Sequence, residues 1–394
     1  MNKKNQNEYL LNLIKDFLHE GSGKVSDVEK NDWEYLFEIS KKHSIEGIVF
    51  QAIEKLPEEQ QPIREIYGKF KKGWQIGLAQ EAVQRFALEE ILDSFENEKI
   101  RCLPLKGSVL KSFYPSPDLR MMADIDIFYD YSQKEQVDHV LAQSGYTMKS
   151  SGDHDASWYC EPNLHIEMHY QLLGDNSRQK EYYNNVWDKL HLREGKEYIY
   201  DFSWEDYYIY MMLHLAKHFY AGGSGIRSII DVWIFLQKME KDLKWDYINR
   251  ELEKIELSEF ESHIKKLAQI WFGDEEPDEF YDKLTLFIIN SGVFGIRDYY
   301  NAVRIAERSG TNENVRIGWI KNIVETIFLP LKEMIWQYPY LKKYPALLPM
   351  AWVQRGIRHC SKEERKNLIP LFQSMNVKDE ESREMKALMK TLGL

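Results

Sequence analysis

Two aspartates one residue apart, Asp124 and Asp126, open the run Asp124-Ile125-Asp126-Ile127-Phe128, in which acid alternates with apolar residue. That is the period of a strand with one buried face, and it projects both carboxylates from the same side. Neighbouring anions repel and call for a cation. Magnesium, or manganese in its place, held by oxygen ligands and by the phosphates of a bound nucleotide, would relieve the repulsion and stabilise charge on a displaced phosphoryl oxygen. Upstream, Leu105-Lys106-Gly107-Ser108 offers the complementary part. Glycine lets backbone N–H groups approach a triphosphate closely, and Ser108 adds a hydroxyl. Each half alone is common, since a surface Asp-x-Asp is often a solvated face and Gly-Ser a frequent turn. The order of strand, Gly-Ser turn, helix and Asp-x-Asp strand carries the reading.

A third carboxylate comes from Leu164 to Tyr170, where alternation puts His165, Glu167 and His169 on one face and Ile166 and Met168 on the other. Glu167 is the expected third metal ligand or general base, against the plain alternative of a solvent-facing glutamate on an edge strand. His169 is expected to contact phosphate or acceptor, with a structural histidine as its alternative. Lys106 and Arg120 bracket the proposed triphosphate seat and would neutralise charge on departing pyrophosphate; surface solubility is the competing explanation. In His214-Leu215-Ala216-Lys217-His218 two histidines lie four apart, but Leu215 stands where a zincin needs glutamate, which argues against metalloprotease chemistry. The basic residues Arg355, Arg358, His359, Lys362, Arg365 and Lys366 are interrupted by Glu363 and Glu364 and read as a solvated helix face.

The elements that position these residues follow from periodicity. Apolar residues from Glu8 to about Asn97 recur at helical spacing and predict three or four helices, broken at Gly21, Gly23, Pro57 and Pro62. At Ile100 the pattern changes to strand, then the Gly107 turn, one or two helical turns to Tyr114, the 124–128 strand, a helix from Gln133 to Ser144 closed by Gly145, and strands at 146–148, 156–160 and 164–170. Beyond Trp204 the helical period returns. The expected class is α+β: a small mixed-sheet core at 99–200, an amino-terminal helical region at 1–98 packing on it, and a helical domain at 201–394.

Leu105-Lys106-Gly107-Ser108 with the Asp-x-Asp strand resembles the DNA polymerase β-like nucleotidyltransferase superfamily. Together with Tyr114-Pro115, Arg120 and Asp124-Ile125-Asp126, it looks more closely like a group of uncharacterised bacterial nucleotidyltransferases. The likeness extends to Trp33–Ile48, to His214 through Asp231 and to Tyr344-Pro345, Leu348-Pro349 and Trp352, and so covers most of the chain. The 15 residues between Ser108 and Asp124 are long for the superfamily but usual for the closer group. The resemblance implies that the helix and glycine loop around 214–227 wall the nucleotide or acceptor pocket, with Lys217, His218 and Arg227 reaching toward phosphates; a capped helix end followed by a turn is the alternative.

The net charge of −11 argues against general coating of nucleic acid, while leaving room for a phosphate ligand held by a few cations. Cys102, Cys160 and Cys360 are few and scattered, so neither a disulfide framework nor a thiolate zinc cluster is expected, and a reducing cytoplasm is the simplest home. No stretch of membrane-spanning length and apolarity is seen, and the aromatic-rich run at 344–353 is expected to pack as core. The expected activity is transfer of a nucleoside monophosphate from an NTP to a hydroxyl or phosphate acceptor, with release of pyrophosphate. Kinase-like phosphotransfer on the same fold, or a non-catalytic nucleotide-binding accessory protein, are the alternatives.

Overall fold

Helix periodicity ahead of residue 98 resolves into four helices: α1 (Lys3–Leu18), α2 (Trp33–Lys42), α3 (Glu46–Ile53) and α4 (Arg64–Asn97). The structure is a computed structural model; it describes residues 3–21, 32–152, 154–174, 179–293, 328–359 and 379–394, with single positions at 295, 321 and 324. α2 starts where the Asp32 carboxylate accepts the Tyr35 N–H at 3.1 Å, satisfying one of the donors that a helix start leaves open. α4 buries Ala87, Ile91, Leu92 and Phe95 at its far end, and this stripe lies against the sheet.

The sheet has the order β1-β2-β5-β4-β3, from β1 (Cys102–Pro104), β2 (Ile125–Tyr129), β3 (Thr147–Ser151), β4 (Asp155–Cys160) and β5 (Leu164–His169). β2 and β5 run parallel at its centre and the other pairs are antiparallel. Between Gly107 and Tyr114 the chain makes one helical turn, α5 (Gly107–Leu110), and a 3-10 turn. α6 (Lys134–Gln143) ends at Gly145, whose φ of +85° suits a residue without Cβ, and Tyr146 N–H returns to the Leu141 carbonyl at 2.9 Å. Ile125, Ile127 and Tyr129 of β2 and Ile166 and Met168 of β5 join α4 and α6 in one core. A two-residue period then forces Asp126, Glu167 and His169 to the opposite face.

A second pair of strands, β6 (Leu190–Leu192) and β7 (Tyr200–Phe202), forms an antiparallel hairpin beside β1, joined to it by a bridge between Cys102 and Ile199. Sequence reading left this hairpin out because three residues are too few for alternation to register. Arg193 closes it with a two-pronged contact to Asp201, at 2.7 and 2.9 Å.

Helices follow from Trp204: α7 (Trp204–Tyr220), α8 (Ile226–Met239), α9 (Trp245–Lys254), α10 (Ser258–Phe272) and α11 (Glu279–Ser291). The chain divides into two compact units, Met1–Lys217 with Gly225–Val293, and His218–Ser224 with Phe294–Leu394. The first unit holds the sheet, the four amino-terminal helices and α8 to α11; within it α1 packs on α3 and α10, and α10 on α8. In the second, Met334, Leu341 and Ala351 form a small core, and Trp352 donates to the Leu329 carbonyl at 2.8 Å. The run at 344–353 packs only in part. Ala351 is buried, whereas Tyr344, Leu347, Met350 and Val353 are exposed; on the helix from Leu348 to His359, Met350, Val353 and Ile357 form a second apolar stripe at spacings of three and four. Cys360, Lys362, Arg365 and Lys366 lie outside the described residues. Among the described residues no helix is long and apolar enough to cross a membrane.

Candidate active site

Parallel pairing of β2 with β5 sets Asp126 directly beside Glu167, and Phe128 beside His169. Adjacent strands are about 4.8 Å apart, so the register itself brings two carboxylates together. Asp124, one residue before β2, stands two positions behind Asp126 and is half-buried. One donor atom each from Asp124, His165 and Glu167 lie within 4.8 Å of one another, and the same holds for Asp126, Glu167 and His169. Glu167 is thus shared by two groups able to hold a metal ion.

The charges in this cluster are unevenly compensated. Asp126 is buried, which would raise its pKa, but the Lys106 ammonium at 2.6 Å and the His169 imidazole at 2.7 Å hold it well below the usual carboxylate range. Both contacts go to Oδ1; among the described residues no hydrogen bond goes to Oδ2. The Glu167 carboxylate receives no hydrogen bond among the described residues, and His169 Nε2 stands 3.6 Å from its Oε2. Burial, then the charges of Asp126 and Asp124, raise its pKa to about 7. Asp124 is raised by burial and by Asp126. For Lys106, burial favours loss of the proton, but Asp126 outweighs it and the pKa rises. His169 is pulled down by burial, against its bond to Asp126. The site therefore holds more negative charge than its own cations balance.

The Lys106-Gly107-Ser108 turn sits next to Asp126, since Leu105 N–H donates to the Asp126 carbonyl at 3.0 Å. Lys106 adopts φ +50°, ψ −121°, a conformation costly for a residue with a Cβ, and its carbonyl accepts from the Tyr207 hydroxyl at 2.8 Å. Gly107 has no room for a side chain: a Cβ there would stand 2.3 Å from Met122 Sδ and 2.4 Å from Arg120 Nη1. The Ser108 hydroxyl is buried with no hydrogen-bond partner among the described residues, and Ser108 lines a cavity of about 400 Å³ with Leu103, Trp204 and Tyr207.

The remaining cations separate into different settings. Arg120 is buried and grips Asp231 through Nε at 3.1 Å and Nη2 at 2.8 Å, and Tyr114 donates to the same carboxylate at 2.7 Å. Its guanidinium therefore backs the Gly107 turn with Nη1 and is otherwise engaged. Arg227 donates to the Met121 carbonyl at 2.6 Å and has no carboxylate partner among the described residues. Burial and the nearby Arg120 charge lower its pKa to about 10. Lys217 keeps contact with solvent and has no ion-pair partner among the described residues; surrounding protein, then Lys106, lower its pKa. The charges of Asp155, Glu167 and Asp126 act on it in the opposite sense. His218 belongs to the second compact unit.

A family model described as uncharacterised nucleotidyltransferase matches residues 29–273, more than half of the chain. The chain belongs to this nucleotidyltransferase family. The match takes in the sheet, the Lys106–Ser108 turn and α7 to α10, and stops short of the Tyr344–Trp352 segment. No curated protein and no solved structure matches the chain. In this nucleotidyltransferase, three residues at or behind the site had no assigned part in the sequence reading. His165 was placed on the correct face but not recognised as a donor beside Asp124. Asp155 pairs in register with His169 across β4 and β5, and adds a further carboxylate to the face. Asp231 holds Arg120 across a separation of 111 residues. Alternation could have flagged Asp155; no local signal joins Asp231 to Arg120.

Proposed function

We propose that this nucleotidyltransferase moves a nucleoside monophosphate from an NTP to a hydroxyl or phosphate acceptor and releases pyrophosphate, with a core of the polymerase β type. The observation that carries this reading is the lateral alignment of Asp126 with Glu167, with Asp124 close enough to share Glu167. The donor set fits hard divalent cations: three carboxylates, one with a free Oδ2, and excess negative charge. Asp124, Asp126 and Glu167 would hold magnesium, which would supply Lewis acidity toward the phosphoryl oxygens.

The chain's own residues do the rest by positioning and charge. Lys217 and Arg227 offer cations without a carboxylate partner among the described residues, suited to triphosphate oxygens. Gly107 leaves room for Met122 Sδ and Arg120 Nη1 to pack against the turn, Ser108 adds a hydroxyl with no hydrogen-bond partner among the described residues, and Arg120 fixes the turn from behind. His169 orients Asp126. The acceptor oxygen attacks the α-phosphorus and gives up its proton to the Glu167 carboxylate. The bond from the α-phosphorus to the bridging oxygen breaks, and pyrophosphate leaves with that oxygen and its electron pair.

The test is label transfer across a panel of hydroxyl and phosphate acceptors. An α-phosphate label is expected on the acceptor and a γ-label in pyrophosphate; γ-label on the acceptor instead means phosphoryl transfer and overturns the proposal. Asp124→Asn, at a half-buried position whose side chain makes no hydrogen bond among the described residues, is expected to cut turnover by about a thousandfold or more with unchanged thermal stability. Undiminished turnover in that variant removes Asp124 from the mechanism.

A further inference from the structure

The face that carries the three carboxylates also carries two imidazoles, and the structure uses them differently. His169 is committed: its Nε2 bonds Asp126 Oδ1 at 2.7 Å and is buried behind it. An Nε2–H that donates to a carboxylate cannot also give its lone pair to a metal, so His169 is an orienting partner of a ligand. His165 is not committed. It lies two residues before Glu167 on β5, on the same face, is half-buried, and its ring makes no hydrogen bond among the described residues. Its Nδ1 is 4.0 Å from Asp124 Oδ2, beyond hydrogen-bond range, and all three donors of the Asp124, His165 and Glu167 group lie within 4.8 Å of one another. Donors bound at about 2.1 Å to one ion stand about 3 to 4 Å apart, so this spacing suits ligands gathered round a cation better than a hydrogen-bonded pair.

Donor type sets metal preference. Magnesium favours oxygen-only coordination and keeps its waters, whereas a neutral imidazole is a good ligand for first-row transition ions. We propose that His165 is a metal ligand, and that Asp124, His165 and Glu167 form a nitrogen-containing half of the site which selects Mn2+ over Mg2+. The other half, where Asp126 and Glu167 offer oxygen and His169 stands behind, keeps the oxygen chemistry suited to Mg2+. This rests on the proposed nucleotidyl-transfer reading for its location, but not for its test.

The full-length chain, without nucleotide, is titrated with Mn2+ and separately with Mg2+, and bound Mn2+ is examined by pulsed electron paramagnetic resonance. Wild type is expected to bind Mn2+ more tightly than Mg2+ and to show nitrogen hyperfine coupling. His165→Gln is expected to lose that coupling and to weaken Mn2+ binding by about tenfold or more, with a much smaller change for Mg2+. His165→Asp, which makes the half-site all oxygen, is expected to bring the two affinities together. Absence of nitrogen coupling in wild type, or its persistence in His165→Gln, overturns the proposal. Nitrogen-coupled Mn2+ without any label transfer would leave it standing while removing the nucleotidyl-transfer reading. Label transfer supported by Mg2+ with no nitrogen coupling would do the reverse.

Discussion

Lys106 combines a backbone conformation that few residues accept with an ammonium bonded to Asp126. Glycine would take φ +50° without steric cost, so the lysine is kept at the expense of strain, and its side chain is the reason. The pairing holds Asp126 ionised while Glu167 beside it is raised to about 7. Two substitutions separate the conformational and electrostatic parts. Lys106→Ala and Lys106→Gly both remove the ammonium, but only the second relieves the backbone. Chemical denaturation should find the glycine variant more stable than the alanine variant by about 1 kcal/mol, while both lose label transfer alike. Equal stability of the two would show that the turn carries no strain.

At the scale of elements, the loop from Asp118 to Met122 decides where β2 begins and so where Asp124 stands. α4 secures it by Trp74 to the Asp118 carboxylate at 2.9 Å and by Gln80 and Gln84 to the Met122 carbonyl at 2.7 and 3.1 Å. α8 secures it by Arg227 to Met121 and by the Asp231 grip on Arg120. Removing one partner of a buried ion pair strands the other, at a cost of about 3 to 5 kcal/mol. Asp231→Leu should therefore lower the unfolding free energy by about that amount. Arg120→Leu combined with Asp231→Leu should recover part of it, since two apolar residues need no partner. Label transfer should remain low in both, because the Gly107 turn loses its backing. Full activity in the double variant would mean that Arg120 only stabilises the fold.

Across the sheet-bearing unit, His43 connects three parts of the chain. The Ile289 carbonyl can only accept, so His43 Nε2 donates to it at 2.9 Å, and Nδ1 accepts the Ile226 N–H at 2.9 Å. The bond accepted at Nδ1 requires the neutral ring. Burial, foremost, lowers the pKa to about 4, against about 6.5 in an unfolded chain. The unfolded state thus binds more protons between these values, and stability is fully present above about pH 6.5 and lost as pH falls toward 4. The difference amounts to roughly 3 kcal/mol. His43→Ala should be less stable than wild type at pH 7.5, and the gap should shrink by about that amount by pH 4. A gap independent of pH would show that the ring titrates normally in the fold.

Local patterns in the chain were enough to place Asp126 and Glu167 on strands, to mark the Gly107 turn, to close α6 at Gly145 and to separate helical from sheet-forming segments; β2 begins at Ile125 and leaves Asp124, expected on the strand, just ahead of it. These are readings of alternation, helical spacing and glycine, properties that act over a few residues. Pairing is not local. That β5 lies beside β2 in parallel, with Glu167 level with Asp126, depends on how the chain between them folds back. The same holds for the division of labour between His165 and His169, equivalent by alternation but unlike once Asp126 has taken one of them. Arg120 reads as a phosphate ligand until Asp231 is found against it, and the sheet-bearing unit extends through α11 because α10 packs on α1 and α8. Sequence alone determined which residue types lie on which face; only the tertiary structure decided which charges meet, because register and packing bring together groups that the chain keeps far apart.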